Sequence, residues 1–269
     1  MDECVYMTVL TTATYLPGVR ALKRSLKKVK SEHKLVVLVP DDQMFTLGQE
    51  LGKSGITDDF CKIEYAAPIE VTPPDGVSFS AHYWANTLFK LRVASCIRYR
   101  KIVLLDSDLY VCKNIDHLFE RPHFSAVCAG KSCNPDWVDL NSGLMVIVPS
   151  ERFFKQLVES IAPAMVRVHK LGRNFGDQDV FHEAFPEWRN HGELHLPEIY
   201  NCIWDHLPKM CRLRVLKMKD VSVIHFTGEW KPWMIGSLKQ MVRLIRAMLL
   251  FYSIRQRFLV CRYIGLAIK

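Results

Sequence analysis

No apolar run in this chain of 269 residues approaches the roughly 18 residues that a membrane-spanning helix requires, so no span is expected. The start, Met1-Asp-Glu-Cys-Val-Tyr6, has neither a basic region nor an apolar stretch, and no secretory signal is expected from it. Nine cysteines are scattered without a Cys-x-x-Cys pair, and the closest two, Cys128 and Cys133, fit no zinc template. Their odd number and their strand-like or helical neighbours point to reduced thiols and a cytosolic setting. Between Val5 and Gly18 there is no glycine-rich phosphate loop, which argues against a nucleotidyltransferase. Internal repeats and low-complexity segments are also missing.

Acid is missing from one region in particular. No Asp or Glu follows Glu229, whereas Lys231, Lys239, Arg243, Arg246, Arg255, Arg257, Arg262 and Lys269 do. The rest of the chain is balanced, so the whole net charge of +8 belongs to the C-terminal stretch. There, Leu238, Met241, Val242, Ile245, Met248, Leu249 and Tyr252 recur at helical spacing, with Lys239, Arg243 and Arg246 on another face. The pattern divides the chain into a body over 1–235 and a basic amphipathic helical tail over 236–269. A basic helix of this kind suits an anionic membrane surface. Nucleic acid is not expected as a partner, because no reader motif accompanies the charge.

Over the whole chain, an apolar fraction of 49% and a charged fraction of 24% are those of an ordinary globular protein. Val5–Thr12 reads as a first buried strand, and Val19, Leu22, Leu26 and Val29 mark a helix after it. Leu35–Val39 is a second strand, followed by a helix to about Leu51 that Asp41 and Asp42 can cap. Cys61–Tyr65 is a short third strand, Ala66–Ser80 a long loop, Asn86–Tyr99 a helix and Ile102–Leu105 the next strand. This alternation predicts an α/β fold with a mixed, mostly parallel central sheet flanked by helices. Ligands in such sheets sit at the carboxyl ends of the strands.

Two strand ends carry chemistry. Lys101–Leu105 runs into Asp106-Ser107-Asp108, and Val221-Ser-Val-Ile leads to His225-Phe-Thr-Gly228 with Lys231 beyond. A bare Asp-x-Asp is weak, and the chain has another at Asp177-Gln178-Asp179. Carboxylates two apart on an extended chain share a face, however, and can reach one cation. Two carboxylates and an imidazole suit Mn²⁺, with Mg²⁺ as the other option. Gly228 would let backbone approach a phosphate and Lys231 would supply a point charge.

These residues, together with Val9-Leu-Thr-Thr12, Tyr15, Gly18, Leu88-Phe-Lys90-Leu, Asn114-Ile-Asp-His-Leu-Phe119, Asn141-Ser-Gly143, Leu196-Pro, Tyr200-Asn201 and Lys231-Pro-Trp233, resemble the glycogenin-like retaining glycosyltransferases of family 8. The likeness runs from about Tyr6 to Trp233, in family order. It implies a Rossmann-like nucleotide-diphospho-sugar transferase fold of the GT-A type. It also implies that Leu10, Thr11, Thr12 and Tyr15 line a uridine pocket and that Lys90 contacts phosphate or sugar. Asp106, Asp108 and His225 would bind Mn²⁺, with Ser107 near the ribose. Asn141, Ser142, Asp177 and Gln178 would surround the donor sugar, and Gly228 and Lys231 would hold the diphosphate.

The activity so implied is transfer of a hexose from a UDP-sugar to a glycan or lipid-linked glycan, in assembly of a surface polysaccharide or lipopolysaccharide. Gln178, Asp177 and Lys231 are its candidate catalytic residues. Gln178 would be a poor nucleophile, which favours front-face attack by the acceptor hydroxyl. The expected location is the cytoplasm, with peripheral attachment to the inner face of a membrane. Two other readings stand beside this one: a self-glucosylating primer of the glycogenin type, and a silent UDP-sugar binder. The first is disfavoured because the segment after Tyr200-Asn201 has no tyrosine-rich stretch. The second is disfavoured because all three metal ligands, Lys231 and Gln178 are present.

Overall fold

The structure, a computed structural model, describes residues 3–79, 84–228, 231–234 and 254–268. The first strand, β1 (Cys4–Val9), is followed by helix α1 (Leu16–Lys28), β2 (Leu35–Pro40), α2 (Met44–Lys53), β3 (Cys61–Ala66) and a short α3 (Trp84–Leu88). Then come β4 (Lys101–Leu105), β5 (Leu109–Val111), β6 (Ala126–Val127) and β7 (Asn141–Ile147). Helices α4 (Glu151–Lys170) and α5 (Asp177–Ala184), strands β8 (His195–Leu196) and β9 (Cys202–Ile203), α6 (Leu207–Arg212), β10 (Val223–His225) and α7 (Ile254–Ile268) complete the described elements.

Among the described residues, seven strands form one sheet in the order β3-β2-β1-β4-β7-β6-β8. Only β7 runs against its neighbours, so the sheet is mixed and mostly parallel, as expected. Its central strands are apolar on both faces because both faces are covered. Val5 and Met7 join Ile102, Leu104, Phe153 and Leu157 on one side. Cys4 and Tyr6 join Val103, Leu105, Leu22 and Leu26 on the other. Leu22 and Leu26 of α1 are fully buried, each contributing about 1.5–3 kcal/mol.

A second sheet, β5-β10-β9, was not expected. The strand carrying His225 does not belong to the central sheet; it pairs antiparallel with β5 and parallel with β9. Two further expectations need correction. Asp41 and Asp42 form a 3₁₀ turn before α2 and make no side-chain cap, since the main chain already turns there. The helix expected over Asn86–Tyr99 is α3 followed by a 3₁₀ segment, Phe89–Ser95, which buries Phe89, Leu91 and Val93 at a tighter pitch.

The described part of the basic tail packs on the body. In α7, Val260, Tyr263 and Ala267 are buried with Ala21 of α1 and with Tyr110 and Phe226. Arg20 and Arg24 of α1 donate to the carbonyls of Ala267 and Leu266 at 3.2 and 2.7 Å, satisfying orphan acceptors at the end of α7. The apolar face expected over Leu238–Tyr252 lies outside the described residues, as does Ser80 at the end of the long loop. Among the described residues no helix is long and apolar enough to cross a membrane.

Candidate active site

Asp106-Ser107-Asp108 is the step from one sheet to the other. Strand β4 ends at Leu105, the Asp106 N–H is held by the Gly143 carbonyl at 2.9 Å, and the Leu109 N–H returns to the Asp106 carbonyl at 3.1 Å. The chain thus makes a tight turn, and the two carboxylates converge instead of standing along a straight strand. Register supplies the third group. His225 lies opposite Leu109 in the β5–β10 pairing, and the Phe226 N–H donates to the Asp108 carbonyl at 3.1 Å. The imidazole is thereby set beside Asp108: its Nε2 is 3.2 Å from Asp108 Oδ1 and 3.7 Å from Asp106 Oδ2. One ligand atom from each of Asp106, Asp108 and His225 falls within 4.8 Å of the others. The ring rests on Gly143, where a Cβ would come within 2.4 Å of His225 Cε1.

Two lysines neutralise the carboxylates. Lys90 is buried, with Nζ 2.5 Å from Asp106 Oδ1 and 3.1 Å from Asp177 Oδ2, and it donates to the Ser142 hydroxyl at 3.3 Å. Lys231, also buried, donates to Asp108 Oδ2 at 2.5 Å and to the Phe226 carbonyl at 2.8 Å. Burial pushes the Asp106 carboxyl up, against the pull of Lys90. Burial acts the same way on Asp108, but His225 and Lys231 overcome it and hold that carboxyl well below the usual range. Lys90 is desolvated, yet Asp106 and Asp177 keep it firmly protonated.

Behind the carboxylates runs a chain of amides. His225 Nδ1 lies 2.8 Å from Asn201 Oδ1, Asn201 Nδ2 donates to Asn141 Oδ1 at 2.8 Å, and Asn141 Nδ2 donates to Gln178 Oε1 at 3.0 Å. Backbone donors fix its polarity: the Gly143 N–H points to Asn141 Oδ1 and the Ser142 N–H to Gln178 Oε1. Asn201 therefore presents oxygen to the imidazole, so Nδ1 donates to it and Nε2 is the nitrogen turned to the two carboxylates. Two carboxylate oxygens and an imidazole nitrogen, oriented by a second layer of hydrogen bonds, suit a hard divalent cation.

In front of the carboxylates opens a cavity of about 330 Å³ lined by Val9, Thr11, Thr12, Tyr15, Asn86, Thr87, Lys90, Asp106, Ser107, Asp108 and Asp177. Lys231 Nζ is 5.6 Å from the centre of the Tyr15 ring, tying the cavity wall to the charged floor. Gly18 lets α1 close on this floor, because a Cβ there would fall 2.5 Å from the Ser107 carbonyl oxygen.

Over residues 7–235 the chain matches the family described as Glycosyl transferase family 8. The chain belongs to that family. Among family 8 relatives, glycogenin-1 of Oryctolagus cuniculus is 30% identical over 244 residues, covering 87% of this chain and 66% of that protein. The chain thus spans just under two thirds of that relative's length. Galactinol synthase 2 of Arabidopsis thaliana is 25% identical over 269 residues, covering 86% of this chain and 74% of that protein. Of solved structures, the galactosyltransferase LgtC in complex with donor and acceptor sugar analogues aligns with a TM-score of 0.57 at 15% identity, over 96% of this chain and 99% of that one. GlyE of Streptococcus pneumoniae TIGR4 aligns at 0.57 and 16% identity, over 90% of this chain and 59% of that one. The fold is the GT-A type of these glycosyltransferases.

Set against the family pattern, the residues expected from sequence fall in three groups. Thr11, Thr12, Tyr15, Lys90, Asp106, Ser107, Asp108 and Asp177 share the cavity. Asn141, Ser142, Gln178, His225 and Lys231 form the polar layer behind or beside it through the bonds above, and Gly228 takes a left-handed φ of 90° on the segment to Lys231. Leu10 is the exception. Its side chain is buried in the core and its N–H is held by Leu38, so only its carbonyl is left to face a ligand, and Val9 forms the wall. The second Asp-x-Asp divides its labour: Asp177 meets Lys90 and Ser142, whereas Asp179 caps α5 by accepting from the Gly176 N–H at 3.1 Å. Sequence reasoning missed Asn86, Thr87 and Asn201. For Asn201 its place in the Tyr200-Asn201 segment was the available signal.

Proposed function

We propose that the chain is a metal-dependent, retaining transferase that moves a hexose from a UDP-sugar to a glycan or lipid-linked glycan acceptor. The observation that carries this is the convergence of Asp106, Asp108 and His225 within 4.8 Å at the floor of a cavity whose wall is Thr11, Thr12 and Tyr15. Mn²⁺ is the favoured cation, and those three residues would hold it. When bound, it supplies Lewis-acid stabilisation of the diphosphate that develops as the glycosidic bond breaks.

The chain's own groups define the rest. Thr11 and Thr12 offer hydroxyls to the nucleoside, and Tyr15 offers a ring. Lys231, set against Asp108 on the floor of the cavity, would supply a positive charge for the diphosphate. Lys90 lies between Asp177 and Asp106 and places one positive charge against both carboxylates. Gln178, its oxygen engaged by Asn141 and Ser142, holds the sugar through its amide and is not placed to attack as a nucleophile. Front-face attack by an acceptor hydroxyl follows, its proton passing to the departing phosphate oxygen.

The acid-free C-terminal stretch, with Arg262 on the exposed side of α7, supports contact with anionic lipid, hence a peripheral position on the cytoplasmic face of a membrane and a lipid-linked acceptor in surface polysaccharide assembly. The similarity to glycogenin-1 supports a second reading, self-glucosylation. The deciding experiment measures UDP release from a panel of UDP-sugars with Mn²⁺ and with EDTA. Metal-dependent release from one donor establishes the reading, and label from that donor on the protein itself would favour self-glucosylation. Absence of UDP binding overturns both.

A further inference from the structure

The loop 128–140 leaves the central sheet after β6 and returns at Asn141, at the edge where Asp106 and Asp108 lie. On it Trp137 is 44% exposed, while Trp84, Trp188 and Trp204 are buried. The exposure is built, not incidental. Gly130 takes a φ of 88°, and its missing Cβ is what lets the indole lie down on the backbone: a Cβ would be 2.4 Å from Trp137 Cζ3. The His206 ring supports it from the side, centroids 5.6 Å apart and planes 36° from parallel.

The loop beneath is tied down. Glu198 accepts from the Gly130 N–H at 2.8 Å, the Ser132 N–H at 3.2 Å and the Ser132 hydroxyl. Cys128 Sγ donates to the Trp137 carbonyl at 2.7 Å, and the Trp137 N–H to the Asn134 carbonyl at 3.1 Å. The result is a rigid aromatic face left open to water, against the hydrophobic preference of an indole.

We propose that this open face of Trp137 is the platform on which a pyranose ring of the acceptor glycan stacks. The proposal rests on the transferase reading above and adds where the acceptor lies. A pyranose has the matching chemistry: an apolar face of C–H groups that an indole can cover, and a rim of hydroxyls that stay wet. Neighbouring polar groups fit that rim, since Asp139 and Arg189 form an ion pair at 3.0 Å beside the loop. Position fits as well. Trp137 is no part of the donor cavity, so it does not compete with the nucleotide. It is four residues from Asn141, at most about 14 Å along the chain.

The test uses p-nitrophenyl maltoside, lactoside and cellobioside with the full chain, in two measurements. By saturation-transfer NMR, at least one glycoside receives transfer onto the C–H groups of one ring face in the wild type. Trp137→Ala abolishes the transfer and Trp137→Phe keeps most of it. By UDP release, Trp137→Ala raises the KM for that glycoside about ten-fold, equivalent to about 1.4 kcal/mol, while the KM for the UDP-sugar moves less than two-fold. Trp137-dependent binding without turnover of any donor would uphold the platform and sink the transferase reading. Glycoside binding or KM unchanged in Trp137→Ala, or no binding of any of the three by the wild type, would overturn the platform.

Discussion

Asn201 stands between His225 and Asn141, taking the Nδ1 proton of one at 2.8 Å and donating to the oxygen of the other at 2.8 Å. It is fully buried and touches neither cavity nor solvent. One amide thus sets the tautomer of the proposed metal ligand and, through Asn141, the orientation of Gln178.

Replacing Asn201 by Leu removes the acceptor for His225 Nδ1. Mn²⁺ affinity, read by calorimetry without any sugar donor, should fall about 10–100-fold, the usual effect of losing such a supporting partner. Asn201→Asp keeps an acceptor for the imidazole but turns a carboxylate on Asn141 Oδ1. It should retain most of the metal affinity and lose turnover. Unchanged affinity in the Leu variant would show that the imidazole needs no such support.

Gly143→Ala places a methyl 2.4 Å from His225 Cε1 and 2.9 Å from Asn141 Oδ1. The strand backbone cannot yield without breaking its pairing with β4, so the imidazole moves. A displacement of about 1 Å at such a site costs about 100-fold in rate. Overpacking should cost the fold only about 1–3 kcal/mol. UDP release and a melting curve on the same preparation separate the two, and full turnover would mean that His225 has slack on its other side.

Asp116 predicts a pH dependence of stability. Burial works to raise its carboxyl, but donation from the Glu32 N–H, the Tyr6 and Ser31 hydroxyls and the Asn114 amide holds it below its ordinary value. A folded-state pKa below the unfolded one, about 3.9, gives stabilisation that is complete above that pH and lost as pH falls through the folded value. Asp116→Ala leaves the Tyr6 hydroxyl buried without this acceptor and should cost about 1–3 kcal/mol at pH 7. The gap between wild type and variant, followed by urea unfolding, should close below about pH 4. An equal gap at pH 3 and pH 7 would refute the assignment.

What could be read from residues alone follows from length and locality. Strands β1, β2 and β4 are five or six residues long and mostly apolar, and α1 repeats its leucines at helical spacing, so the doubly covered sheet was visible. The second sheet was not, because β5, β9 and β10 are two or three residues long and no periodicity survives in so few. That is why His225 was assigned to the edge of the wrong sheet while its convergence with Asp106 and Asp108 was anticipated. At Leu10 the side chain is buried in the core while its neighbours Val9 and Thr11 line the cavity, an alternation at the strand end that a run of apolar residues does not display. Asn201 and Gly143 act through contacts 24 and 82 residues away in sequence, which spacing does not display.

Tyr263 sits where the C-terminal helix meets the proposed catalytic segment. Its ring stacks on Phe226 at 4.3 Å and lies 5.8 Å from the partly buried Trp233 and 5.7 Å from Tyr110, with Tyr263, Phe226 and Tyr110 buried. Phe226 is the residue whose carbonyl holds Lys231, and Trp233 donates to the Thr14 carbonyl at 3.0 Å beside the cavity wall of Thr12 and Tyr15. The helix therefore backs the segment that carries Lys231. The Tyr263 hydroxyl is buried with no hydrogen-bond partner among the described residues. Removing it in Tyr263→Phe should leave stability unchanged or raise it by up to about 1 kcal/mol, since an unsatisfied polar group is lost and the ring remains. Tyr263→Ala removes the ring and should cost about 3–5 kcal/mol. At temperatures where that variant stays folded, the KM for the UDP-sugar should rise because Lys231 loses its backing. Calorimetric melting of the Phe variant decides the first point, and a destabilisation above about 1 kcal/mol would mean that the hydroxyl has a partner after all.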